Sequence, residues 1–242
     1  MQEVHVLYKE AKQLMARKNK QQEPTERRSR SVSAKTEGQK TYIKAIVKNE
    51  VIVCNGPAGS GKTHIAIGMG FDHYYKGIVN RIVIARPAVE SGESLGYLPG
   101  GIEDKMAPYV RPIMDELQYY VSRTNIDKMI RSGDLEICPL AYMRGRTFNN
   151  AFILCDECQN ATESQIKMLF TRLGLESKMV ITGDQTQSDL NKVRSGGFDR
   201  LYERFNKPLL AEKGIACMLL DTNDIVRNPI TGLMLEAWEK EG

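Results

Sequence analysis

One octapeptide constrains this chain more than any other stretch. Gly56-Pro57-Ala58-Gly59-Ser60-Gly61-Lys62-Thr63 matches GxxxxGK[ST] and follows directly on the apolar run Val51-Ile52-Val53-Cys54. That order predicts a buried strand, a glycine-rich turn and a helix opening near Lys62. Glycines reach backbone angles closed to other residues, so consecutive N–H groups converge on phosphate oxygens with no side chain in the way. In such a loop Lys62 reaches the outer phosphates of a nucleoside triphosphate and Thr63 offers its hydroxyl to Mg²⁺. The helix directs its positive dipole end at the anion. His64, next in the chain, completes the candidate nucleotide-binding segment 56–64.

A second motif lies about 100 residues further on. Ala151-Phe152-Ile153-Leu154-Cys155 is apolar and ends in Asp156-Glu157. Two carboxylates at the carboxyl end of a buried strand stand where open α/β sheets place their ligand chemistry. Read as a Walker B motif, Asp156 belongs to the Mg²⁺ shell, and Glu157 orients and deprotonates an attacking water. A third apolar run, Met179-Val180-Ile181-Thr182, leads into Gly183-Asp184-Gln185-Thr186-Gln187. An amide at a strand end can contact a γ-phosphate and its water, which makes Gln187 a candidate sensor.

The rest of the chain fits a layered α/β fold. Candidate strands are 51–54, 81–85, 135–138, 151–155, 179–182 and 215–220, with helices near 63–75, 105–123, 162–173 and 230–239. Such alternation predicts a mostly parallel sheet covered on both faces. No Pro/Gly-rich break interrupts the sequence after residue 40, so 37–242 is expected to form one domain. In front of it, Val4, Leu7, Tyr8, Ala11, Leu14 and Met15 recur at helical spacing, and residues 19–35 read as a mobile linker. The whole chain carries a net charge of +4, yet residues 1–36 alone carry +5, so the basic character belongs to this arm. Its two readings are a solvated tether and a phosphate-contacting segment.

Composition excludes a few classes. No apolar run approaches the 18 or so residues that span a bilayer, and the first residues lack the apolar core of a signal peptide, so a cytoplasmic location is expected. Five cysteines, three of them in candidate core strands, favour reduced and buried thiols. Cys155 and Cys158 form a CxxC, but no second pair or His cluster completes a zinc set.

Taken together, GPAGSGKT, ARPAVESGESLGYLPG (85–100), PYVRP (108–112), MRGRTFNNAFILCDECQN (143–160), TRLGLESKMVITGDQTQSDL (171–190) and DIVRNP (224–229) closely resemble the PhoH-like protein family. The resemblance runs from Thr36 to Trp238 in the family's order. It implies a RecA-like ATPase domain, similar to the first motor domain of superfamily 1 helicases. Some members carry a fused PIN ribonuclease domain; the length here resembles the stand-alone versions of bacteria and bacteriophages. By the same resemblance Gln39 matches a glutamine that reads adenine, Gln187 fits a GDxxQ motif, and Arg227 matches an arginine that meets the γ-phosphate within one subunit or across an interface. Asn228 replaces the usual His beside it, and Ser60 and Cys158 replace the usual Thr and Ala.

Four further arginines sit in family motifs. Arg86, Arg144 and Arg146 are assigned to nucleic acid or an interface, and Arg111 to structure. Tyr97, Tyr109, Tyr142 and Phe148 are the nearby candidates for stacking bases. The expectation is therefore a Mg²⁺-dependent ATPase that cleaves the β,γ bond of ATP. Its turnover is expected to be coupled to single-stranded nucleic acid, RNA ahead of DNA, within a hexameric ring. Arg227 or Arg172 is expected to contribute across the subunit interface. The alternatives are an ATP-switched binding protein without productive turnover and a small-molecule kinase.

Overall fold

Six parallel strands set the frame, and the order in which they pair decides where the motifs meet. The computed structural model describes residues 30–87, 102–185 and 197–226, with backbone alone for 102–109. The arm helix proposed for residues 3–18, the helix near 230–239, Gln187 and Arg227 lie outside the described residues. The strands are β1 (Val51–Asn55), β2 (Arg81–Arg86), β3 (Leu135–Pro139), β4 (Ala151–Cys155), β5 (Lys178–Gly183) and β6 (Ile215–Leu219). Between and before them run α1 (Glu37–Lys48), α2 (Lys62–Tyr75), α3 (Ile102–Tyr120), α4 (Arg123–Ser132), α5 (Glu163–Phe170), α6 (Gly197–Phe205) and α7 (Pro208–Glu212).

The sheet order is β3-β2-β4-β5-β1-β6, with every pairing parallel. Thus β5 lies between the strand that feeds the phosphate loop and the strand that ends in Asp156. Their carboxyl ends are level: Cys54 pairs with Thr182, and Cys155 with Ile181.

Alternation along each strand builds two cores. Ile52, Cys54, Ile82, Ile84, Phe152, Leu154 and Val180 face one side, where Tyr42 and Ile46 of α1, Ile65 and Met69 of α2, and Leu117 and Tyr120 of α3 cover them. Val53, Val83, Ala85, Ile153, Cys155, Met179 and Ile181 face the other, against Ile166 and Leu169 of α5 and Phe198 and Leu201 of α6. Each strand residue thus loses its apolar surface to one helical layer, the period-2 logic of a doubly covered sheet.

Local signals mark the helix boundaries. Thr36 caps α1 by accepting the Gln39 N–H, and Thr162 with Gln165 forms a capping box on α5. Residues 30–35, placed in the linker by sequence, lie against the domain instead. Val32 packs on the first core and the Lys35 N–H donates to Gln39 Oε1 at 2.8 Å. Among the described residues no helix is long and apolar enough to cross a membrane.

Candidate functional site

The phosphate loop leaves β1 and enters α2 over two glycines in the left-handed region, Gly59 (φ 82°) and Gly61 (φ 88°), the second serving as the α2 N-cap. A side chain at either would be strained, and at Gly61 a Cβ would also stand 3.1 Å from Gln39 Nε2. The α2 N-terminus therefore opens into the loop with free N–H groups. Lys62 Nζ donates to the carbonyls of Gly56 at 2.5 Å and Pro57 at 2.9 Å, which folds the ammonium back over the phosphate loop.

Thr63 and Asp156 meet across the sheet. Thr63 Oγ1 donates to Asp156 Oδ1 at 2.7 Å, and Thr182 Oγ1 from β5 donates to the same oxygen at 2.6 Å. Asp156 is 1% exposed, and its other oxygen takes Arg86 Nε at 2.9 Å and Nη2 at 2.6 Å. A carboxylate this deep needs compensation, and Arg86 supplies it. Arg86 is therefore tied into the metal side of the nucleotide site rather than aimed at an external strand.

Mg²⁺ prefers few protein oxygens and completes its shell with water and phosphate. One carboxylate oxygen beside one hydroxyl at the mouth of a phosphate loop fits that preference, with Thr63 and Asp156 as the protein's share.

Glu157 is presented differently. It is exposed and sits in the left-handed region at φ 57° and ψ 36°, an uncommon conformation for a residue with a Cβ. Its Oε2 accepts from Gln159 Nε2 at 2.6 Å, while Gln159 Oε1 accepts the Asp184 N–H at 3.1 Å. Gln159 thus orients the candidate base from the loop after β5. Sequence reasoning missed it, since nothing in CDECQN ties that amide to Asp184.

Lys62, Thr63 and Glu157 line a cavity of about 400 Å³. Ala58, Gly59, Gly61, Lys62, Thr63 and Glu157 form its phosphate end, and Ser33, Lys35, Gln39, His64, Ile65, Glu116, Tyr119 and Val226 form the rest of its walls. Ser60 is fully buried within the loop, its hydroxyl donating to Pro57 O at 2.8 Å. Gln39 is only 4% exposed, and its amide is engaged within the chain. Nε2 donates to Ser60 O at 3.0 Å and Asp224 O at 3.4 Å, and Oε1 accepts from Lys35 N. In this arrangement Gln39 braces the phosphate loop through both amide N–H groups, while Oε1, which takes one donor, keeps a second acceptor position. Val226 N donates to Gly59 O at 3.1 Å, so the segment leading to Arg227 docks on the loop.

Two of the remaining arginines, Arg146 and Arg172, are engaged within the fold. Arg146 grips Glu136 through both terminal nitrogens and stacks 4.6 Å from the centre of the Phe148 ring. Arg172 donates to the carbonyls of Met143, Arg146 and Met168. Both guanidiniums are held by in-chain partners, with the Arg146 side chain still 38% exposed, so each braces the fold in this arrangement. Phe148 is buried and offers no stacking face, whereas Tyr142 and Arg144 are exposed beside one another and Arg111 is exposed on α3. Cys155 and Cys158 are buried thiols, Cys158 Sγ donating to Cys155 O, and burial raises both above the ordinary thiol range.

The family model for PhoH-like protein matches residues 31–239. A PhoH-like protein of Synechocystis is 42% identical over 88% of this chain and 64% of its own length. That of Bacillus subtilis is 41% identical over 88% and 66%, and protein PhoH of Escherichia coli 37% over 86% and 58%. The chain therefore spans less than two thirds of the length of these relatives. Among solved structures, a SWI2/SNF2 ATPase core of Sulfolobus solfataricus in complex with dsDNA aligns at TM-score 0.44 and 13% identity, covering 80% of this chain and 47% of that one.

Proposed function

The chain belongs to the PhoH-like protein family and has the fold of a P-loop NTPase, and on that footing we propose that it is a Mg²⁺-dependent ATPase. It hydrolyses ATP to ADP and phosphate. The observation that carries this is the 2.7 Å contact between Thr63 and Asp156 with Glu157 facing the same cavity. When bound, Mg²⁺ neutralises charge on the β- and γ-phosphates. Lys62 trades the Gly56 and Pro57 carbonyls for phosphate oxygens, and the loop N–H groups hold the rest of the triphosphate. Glu157, steadied by Gln159, accepts the proton of the attacking water, while Arg86 braces the Asp156 carboxylate.

The finer reading couples turnover to single-stranded nucleic acid, RNA ahead of DNA. The exposed pair Tyr142 and Arg144 on the loop after β3 supports a backbone-contacting surface. Gln187 is the proposed γ-phosphate sensor. The docking of Val226 on Gly59 supports Arg227 at the phosphates. A neighbouring subunit, in a hexameric ring, is the proposed source of the group that completes the γ-phosphate side of the site beside Glu157.

Steady-state hydrolysis by the protein and by Glu157→Gln, each with and without single-stranded RNA or DNA, tests this. We expect stimulation by a strand and at least a hundredfold loss in the variant, with Mg·ATP binding retained. Turnover indifferent to both strands would remove the nucleic-acid coupling. Tight binding without turnover would make the protein an ATP-operated switch, and phosphate delivered to an acceptor other than water would make it a kinase.

A further inference from the structure

One wall of the cavity is not used by the phosphate chemistry. Glu116, Tyr119 and Tyr120 lie at i, i+3 and i+4 near the end of α3. Tyr120 is fully buried and donates its hydroxyl to His64 O at 3.1 Å, which pins α3 to the first turn of α2. Tyr119 lies edge-on to the His64 ring at 4.6 Å and beneath the Arg30 guanidinium at 4.5 Å. Glu116 Oε2 accepts from His64 Nδ1 at 2.8 Å, and Glu116 lines the cavity beside Tyr119. Its Oε1 has no hydrogen bond among the described residues. The result is a cavity-lining carboxylate fixed in direction by a histidine through one of its two oxygens.

We propose that Glu116, oriented by His64, is the ribose-reading residue of the nucleotide site, accepting hydrogen bonds from the sugar hydroxyls and so selecting ribonucleoside over deoxyribonucleoside triphosphates. The inference rests on the ATPase reading of the same cavity. An ionised carboxylate is an acceptor only, so it needs donors, and a triphosphate offers none. The donors a nucleotide presents are its sugar hydroxyls and, on adenine, the exocyclic amine.

Position separates those two. His64 is the residue after Thr63, so the carboxylate it holds stands next to the end of the phosphate loop. In a nucleotide whose phosphates fill that loop, the sugar comes before the base. The base then extends toward the wall formed by Ser33, Lys35 and Tyr119. Gln39, which the family resemblance assigns to the base, spends both amide N–H groups on Ser60 O and Asp224 O and takes Lys35 N on Oε1, so its amide is committed to bracing the phosphate loop.

Calorimetric binding of Mg·ATP, Mg·2′-deoxy-ATP and Mg·tripolyphosphate to the full chain and to Glu116→Ala and Glu116→Gln tests the assignment. The protein should prefer ATP to its deoxy analogue by about tenfold, as expected for one hydrogen bond to a charged acceptor. Glu116→Ala should bind the two alike, at the level at which the unaltered protein binds the deoxy analogue, and Glu116→Gln should keep part of the preference. Tripolyphosphate, which has no sugar, should bind all three proteins without loss, an outcome that a merely structural role for Glu116 would not give. An unaltered ATP preference in Glu116→Ala, or equal binding of the two nucleotides by the unaltered protein, overturns the inference and leaves the ATPase reading standing. Failure of the unaltered protein to bind either nucleotide or tripolyphosphate would overturn both.

Discussion

The carboxyl ends of β1, β4 and β5 and the loop joining β3 to β4 hold arginines and carboxylates on the same sheet, but they use them in opposite ways. At the first, Asp156 is braced by Thr63, Thr182 and Arg86, and the site still opens onto a cavity that Lys62 and Glu157 also line. At the second, Arg146, joined by Arg172 from the end of α5, directs its bonds inward, the two reaching Glu136, Thr171 and main-chain carbonyls beside the buried Phe148. Charge alone therefore does not identify a functional surface. What separates the two regions is whether a polar group, once satisfied, still faces a space that a ligand can enter.

Arg172→Ala is the largest test of that division. Its guanidinium closes the turn around Met143 and Arg146 onto the end of α5, and its loss leaves several carbonyls without their charged donor. The expected cost is about 2–3 kcal/mol of unfolding free energy, read by urea denaturation, with turnover per folded molecule unchanged. The comparison breaks if the variant keeps its stability and loses hydrolysis while still binding ATP, for then Arg172 acts on a nucleotide after all.

Gln159→Ala addresses the other region. The amide bridges Glu157 Oε2 and Asp184 N, so truncation frees the carboxylate without removing it. A drop of about tenfold in kcat with KM for ATP little changed is expected, since a misaligned base slows proton transfer but leaves the phosphate contacts intact. A purely structural role would lower stability and leave kcat per folded molecule alone. Partial recovery in Gln159→Glu is not expected, because a second carboxylate beside Glu157 would repel it.

The two regions also differ in how far they could be read beforehand. All six strands fell within a residue or two of their expected limits, because continuous β-branched runs such as Val51-Ile52-Val53 between turn signals admit little else. The phosphate loop and Asp156-Glu157 were legible because their chemistry confines particular residue types to short, fixed spacings. Helices α1, α4, α6 and α7 were not foreseen. α1 buries only Gln39, Tyr42 and Ile46, and α6 only Gly197, Phe198 and Leu201, too few apolar positions to show a period. Pairings were equally hidden. Arg86 meets Asp156 across 70 residues, His64 meets Glu116 across 52, and Gln159 meets Asp184 across 25. An arginine in a motif looks the same whether its partner is a carboxylate on the next strand or a phosphate outside the protein, and only the folded topology decides.

The pair Arg146 and Glu136 gives the smallest effect and the finest discrimination. Both side chains are about a third exposed, so the bidentate pair contributes no more than about 1 kcal/mol after solvent screening. The Arg146 hydrogen bond holds the Glu136 carboxyl below its ordinary value of 4.5. Because the folded-state value is the lower one, the stabilisation is fully present above 4.5 and is lost as the pH falls through the folded-state value. The stability difference between the protein and Arg146→Gln should therefore hold constant from pH 7 to pH 5 and close under more acidic conditions. Chemical denaturation across that range measures it, with strand-stimulated turnover at pH 7 as the companion readout. If the gap is absent at every pH and stimulation by RNA is lost instead, the β3–β4 loop is a nucleic-acid surface, and the in-chain contacts of Arg146 describe only its resting position.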